Sequence, residues 1–324
     1  MSTFADPEVI EMCETAFVPV CTDDWYTRRR RDDEGEFFHK VAAQGPRKNR
    51  DGTRQGIYMF TADGELLGYK NAGQDAKVMK QVFADALAKF KKLPAARTKP
   101  GAITVPAHGK LDPNFTRPMP DGVLVVRANA RILDKKGDAF AKGTCEFAGG
   151  DRASRDFLWL TKAEVKALVP TQAEVGFSYA VPEKAAERMA RFHLADNTRG
   201  EPNFWTKSEV RKNEMMLTVV KADGDAVELR LDGVAVMATD ADLTKAERGF
   251  EVKLRGKIEL RKGVVTRFDI AGVGDHWGRG AHTPGDRPGR SLLGVAFGLA
   301  DPDKPSERIA PQGLRDRNPY WGKE

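Results

Sequence analysis

Cysteine is scarce in this 324-residue chain: there are three, Cys13, Cys21 and Cys145. They are odd in number and widely spaced, with no CxxC and no zinc-ligand pattern. Neither a disulfide framework nor a thiolate metal site is encoded, and a reducing compartment is expected. Long apolar runs are missing too; Val123-Leu124-Val125-Val126 is typical of the longest, against the roughly 18 residues that span a bilayer. Residues 1–6 show no basic region leading into an apolar one, so no signal peptide is expected and the predicted location is the cytoplasm, with no membrane partner. Nor does one sign of charge dominate: Lys+Arg 53 against Asp+Glu 47 leaves a formal net charge of +6. That surplus supports weak, salt-sensitive attraction to polyanions and argues against a dedicated nucleic-acid binder. There is no internal repeat and no low-complexity tract.

What is present is enough apolar residue, 40% of the chain, to close a packed core over about two domains. Asp6-Pro7 is a helix start, with a capping carboxylate and proline at the first helical position. Val9, Ile10 and Cys13 then share one face. Residues 17–21 read as a short apolar strand and 36–43 as a second helix. Residues 57–61, the turn Ala62-Asp63-Gly64 and residues 65–69 form a hairpin pattern. From 75 to 90 the apolar positions Val78, Met79, Val82, Phe83, Ala86, Leu87 and Phe90 make one helical stripe. Pro94, Pro100, Pro106, Pro113, Pro118 and Pro120 mark 94–121 as an extended linker. Beyond it the pattern is mostly strands. Residues 122–133 alternate. Hairpins are expected at Asp223-Gly224-Asp225 and Lys262-Gly263, and a last strand at 292–299. Short helices are expected near 162–169, after the capping box Thr161 to Glu164, and near 183–194. The predicted class is α+β. A first domain covers 1–93, the linker 94–121, and a β-rich antiparallel domain, a curved sheet or partial barrel, covers 122–324. The aromatic tail ending in Tyr320-Trp321 is expected to dock back and hide a sheet edge.

Residues 5–92 resemble the later part of the thioredoxin-like fold. The most specific stretch is Ile57-Tyr58-Met59-Phe60-Thr61-Ala62-Asp63-Gly64-Glu65-Leu66-Leu67-Gly68, leading into the amphipathic helix. The family order is strand, helix, strand, helix, strand, strand, helix, and this chain matches every element after the first strand and the front of the first helix. The family's CxxC has no counterpart. Where its cis-proline should fall, near Gln55, the sequence is Thr53-Arg54-Gln55-Gly56. The resemblance therefore implies a fold and argues against dithiol–disulfide exchange, which needs a low-pKa thiolate and a resolving partner. It also leaves a central strand missing: the strands at 17–21 and 57–61 could pair directly, or a partner chain or a strand of the second domain could fill the gap, and residues 122–133 are the expected filler.

Three groups of residues are candidates for chemistry. The thiols are weak ones: Cys13 sits on an apolar helix face, Cys21 precedes Asp23 and Asp24, which would raise its pKa, and Cys145 has no activating neighbour. Arg28-Arg29-Arg30-Arg31 comes just after Trp25 and Tyr26, a combination able to stack bases. Asp32-Asp33-Glu34 is next in the chain, and self-pairing is the expected use. The strongest group is the glycine-rich segment 272–290, read as a loop, with Asp275, His276, Trp277, His282 and Asp286. Imidazole and carboxylate together could bind a ligand, or a divalent metal, although the spacing matches no metal motif; no cofactor is predicted. The function expected from all this is a non-redox, thioredoxin-like binding or scaffold protein, working with a protein partner or as a homo-oligomer. The alternatives are an enzyme or ligand-binding protein using 272–290, and a thiol oxidoreductase.

Overall fold

The computed structural model describes residues 3–73, 75–104, 107, 109–134, 136, 153–283 and 289–322. The chain divides into two compact units, Met1–Arg117 and Pro118–Glu324. It is an α+β protein, and its larger sheet is antiparallel.

In the first unit α1, Pro7–Ala16, starts where the sequence predicts, because the Asp6 carboxylate accepts the N–H groups of Glu8 and Val9. After the single-turn α2, Asp24–Thr27, comes α3, Asp33–Ala43, capped by Asp32 through the Gly35 N–H. The hairpin pairs β1, Ile57–Phe60, with β2, Leu66–Lys70. The predicted stripe becomes α4, Ala76–Phe90, and one further turn, α5, spans Ala95–Thr98. Val9, Met59, Leu67, Met79, Phe83 and Ala86 form this unit's core. At roughly 25 cal/mol per Å² of apolar surface removed from water, such a cluster is what holds α1 and α4 on the hairpin.

The strand expected at 17–21 does not form. Phe17 packs its ring 5.2 Å from that of Phe83, while Val18 and Val20 stand 91% and 75% exposed. A strand needs a ladder partner. Pro19 removes one donor here, and among the described residues β1 and β2 pair only with each other. The proline-rich stretch is also more than a spacer. Up to Arg117 it belongs to the first unit. Asp112 donates its N–H to Asp32 at 2.8 Å and accepts from the Arg31 N–H, Gly109 donates to Asp33, and Arg97 pairs with Asp63 and Glu65. The prolines supply no donors, but the residues between them do.

The second unit holds an eight-stranded sheet in the order β4-β3-β10-β9-β8-β7-β6-β5. Its strands are β3, Leu124–Ile132, β4, Asp156–Leu160, β5, Ser178–Ala180, β6, Val210–Asp223, β7, Ala226–Ala238, β8, Gly249–Arg261, β9, Val264–Trp277, and β10, Ser291–Leu299. The turns at 224–225 and 262–263 lie where the sequence signals them. The 122–133 pattern becomes β3, which has β4 on one edge and β10 on the other. Both its hydrogen-bonding edges are thus used within the second unit. Two helices complete the frame. α6, Lys162–Ala167, opens on the predicted capping box. α7, Glu183–Arg188, runs on as a π-helical turn, Met189–His193.

Strand alternation turns Met215, Leu217, Val219, Leu229, Leu231, Val252 and Leu254 inward, where they meet Ala185, Ala186, Met189 and Ala190. The π-helical turn touches β4 near one end of the sheet and both β6 and β7 near the other, so the sheet curls around the helix. The tail docks as predicted. Its last helical turn, α8, Arg317–Tyr320, buries Tyr320, whose hydroxyl accepts the Trp159 N–H on edge strand β4 at 3.2 Å. Nearby the Gln312 N–H reaches the Asp156 carboxylate. One outward N–H of the edge strand is thereby satisfied. Among the described residues no helix is long and apolar enough to cross a membrane.

Candidate functional site

The segment 272–290 is not one loop. Through Trp277 it is the end of β9, paired to β8 as Phe250↔His276 and Glu251↔Asp275 and to β10 as Ser291↔His276. Its glycines suggested irregular chain, but a two-sided ladder needs only backbone groups. Strand alternation then separates the two candidate residues. Asp275 is exposed, whereas His276 is buried and sets its ring edge-on to Phe250. The loop begins at Gly278, with φ +74; a Cβ there would lie 2.0 Å from the Glu247 carbonyl oxygen. Only glycine fits that turn.

His276 faces a small polar recess of about 10 Å³, near the space one water needs. Its walls come from the segment after the π-helical turn (Ala195, Asp196, Arg199, Pro202, Trp205), from Arg248 ahead of β8, and from Arg279, Gly280 and Thr283 in the loop. Asp196 is heavily engaged. It accepts from the Thr198 N–H, the Thr198 hydroxyl and Arg199 Nε, the last at 2.7 Å. Arg199 also donates to the Gly278 carbonyl, tying the loop's first residue to the recess wall.

Arg248 is 7% exposed and lies flat on Trp205, its guanidinium carbon 3.8 Å from the ring centroid. Its Nη1 donates to the Asn203 carbonyl at 2.6 Å. Among the described residues no carboxylate comes within ion-pair distance of it. Burial pushes its pKa down, and Glu209 offsets this only in part. Trp205 is fixed in turn by its indole N–H on the Leu194 carbonyl. Asn203 also accepts the Ala281 N–H on its side-chain oxygen, and Thr283 bonds both the N–H and the carbonyl of Gly280, which closes the loop on itself. Arg279 is exposed at the rim.

Of the four described residues among the five the sequence selects, His276 alone lines the recess. Trp277 is anchored outside it, with its indole N–H on the Ala246 carbonyl and Arg290 stacked 3.9 Å above the ring. His282 is exposed and bridges by backbone to Glu201. Asp286 lies outside the described residues, as does Cys145. Cys13 is half-buried, its thiol pushed up by burial and by Glu14, and Cys21 is exposed. For Cys13 that shift is the reverse of what makes a reactive thiolate. The arginine run is largely self-paired, as expected: Arg28 meets Asp24, Arg30 meets Asp32 and Glu34, and Arg29 stacks on Trp25. Among the described residues no group of three His, Cys, Asp or Glu side chains converges as a metal ion would require.

Comparison with known families, curated proteins and solved structures finds no match.

Sequence reading missed Arg248, Trp205, Asp196 and Arg199. Asp196-Asn197-Thr198 carries a local signal, an aspartate able to bond the N–H two residues on. Arg248 and Trp205 carry none, because they are 43 positions apart and only the curl of the sheet brings them together. Chemically the recess offers a buried cation, a wall of indole and imidazole, and loop donors. It contains no activated nucleophile.

Proposed function

We propose that this protein is a non-redox binding protein. In this reading the first unit is a thioredoxin-like scaffold without the family's dithiol, presenting a protein partner or a second copy of the chain with a surface. The second unit takes a small ligand in the recess beneath residues 278–283. The observation that carries the reading is Arg248, a buried guanidinium stacked on Trp205, with one carbonyl partner and no described carboxylate in reach. A buried charge costs several kcal/mol unless something answers it, and a ligand group is a natural answer beside a recess. Cys13 supports the non-redox half, since burial and Glu14 push its thiol up, away from a reactive thiolate.

Hydrogen exchange tests the proposal. The intact protein is incubated with pools of charged and uncharged metabolites, and slowed exchange is expected at 195–205 and 276–283. An insulin-reduction assay run alongside should show no turnover. Reduction that disappears in Cys13→Ser or Cys21→Ser would overturn the non-redox reading, and no protection from any pool would overturn the recess.

A further inference from the structure

Resting on the reading of the recess as a ligand site, the ligand's chemical class can be derived from what Arg248 lacks. A guanidinium has five N–H donors in a planar fork that matches carboxylate and phosphate. One of Arg248's is bonded to the Asn203 carbonyl, and its flat face is covered by Trp205. The neighbouring carboxylate, Asp196, is engaged by Arg199 and both Thr198 donors. Arg248 therefore brings to the recess a positive charge that no described carboxylate pairs with. The alternatives are weaker. A cation would meet Arg248 and Arg199 together. A large apolar ligand would find a recess of only about 10 Å³ walled by charged side chains. We propose that the recess is an oxyanion site, in which Arg248 grips the carboxylate or phosphate end of a small molecule while Trp205 holds the guanidinium in plane. The recess has room for about one oxygen-sized atom, so one oxygen of that group enters and the rest of the ligand lies outward.

Thermal unfolding of the intact protein in sodium phosphate, acetate and chloride at matched ionic strength tests this. Phosphate, acetate or both should raise the Tm saturably by about 2–4 °C or more over chloride, and the two oxyanions separate the possible head groups. Arg248→Met should abolish the rise, and Arg248→Lys, which keeps the charge and loses the fork, should weaken it at least tenfold in apparent affinity. Should Arg248→Met fail to fold, the wild-type protein still decides. The Trp205 indole N–H resonance, assigned through Trp205→Phe, should move as oxyanion is added and stay still with chloride. Stabilisation of folded Arg248→Met equal to wild type would overturn the oxyanion assignment, as would a wild-type Trp205 signal indifferent to both anions. If uncharged ligands protect the recess while oxyanions do not, this assignment fails and the binding reading stands; if nothing protects it, both fail.

Discussion

Arg54 shows a different way of burying a guanidinium. It is 2% exposed, donates to the carbonyls of Lys48, Asn49 and His39, and donates to His39 Nδ1 at 2.9 Å. Those acceptors all belong to α3 and the loop after it, so Arg54 closes that loop from within. Arginine cannot accept, so His39 must be neutral with its proton on Nε2. Burial, Arg50 and Arg54 all hold the imidazole below its ordinary value of 6.5. In the folded state His39 thus binds its proton less readily than in the unfolded chain. Its contribution is complete above about pH 6.5 and falls away as pH drops through the lowered folded value. Asp32 acts in a lower window. Burial would raise its pKa, but Arg30 and the N–H groups of Asp112 and Gly35 bring it down to about 2, so its contribution is lost as pH falls from 3.8 towards 2. Acidification from pH 7 to 5 should therefore lower the melting temperature of the first unit through His39. In His39→Asn, whose side-chain oxygen can accept from Arg54, that slope should flatten while the loss below pH 4 remains. Melting curves of both proteins across pH 3–8 check it; an unchanged slope between 7 and 5 in the variant would exclude His39 as the source.

The elements that the sequence foretold are those whose cause is local. The stripe from Val78 to Phe90, the capping box Thr161 to Glu164, and the turns at Gly224 and Lys262-Gly263 all act within a few residues, and all appear in the structure. Residues 17–21 and 272–277 are the reverse case. Hydrophobicity promised a strand to the first and glycine content a loop to the second, but strand formation depends on a neighbour, which single-chain pattern does not reveal. Glu164 belongs to both worlds. It closes the capping box locally and also forms a buried ion pair with Arg188, which stacks on Tyr320 and Trp321. One carboxylate thus ties α6 to α7 and, through Arg188, to the docked tail. Removing one member of such a pair strands the other charge, at a cost of about 3–5 kcal/mol. Glu164→Ala should destabilise the second unit by about that amount. Glu164→Gln keeps an acceptor for the cap and should lose less. Urea unfolding monitored by tryptophan fluorescence measures both, and equal losses would show that the cap carries no share.

At the scale of the whole molecule, two separately closed cores decide the behaviour. Val9, Met59, Leu67, Met79, Phe83 and Ala86 belong wholly to the first unit, and the sheet-and-helix core with its Tyr320 cluster wholly to the second. The boundary was legible as a change from mixed pattern to strands. Its position was not, since proline-rich composition looks the same in a free linker as in a segment bonded to Asp32 and Asp33. The recess was hardest to foresee, because it is assembled from residues near 196, 205, 248 and 276 that share no local signal. Cooperative unfolding tracks cores rather than chain continuity, so differential scanning calorimetry should resolve two transitions. Each should answer to its own perturbation. Lowering the pH from 7 to 5 should move the one that His39→Asn makes insensitive, and Glu164→Ala should move the other. A single transition displaced by both changes would mean that the two cores melt as one unit, and the effects assigned to His39 and Glu164 would then add within one stability.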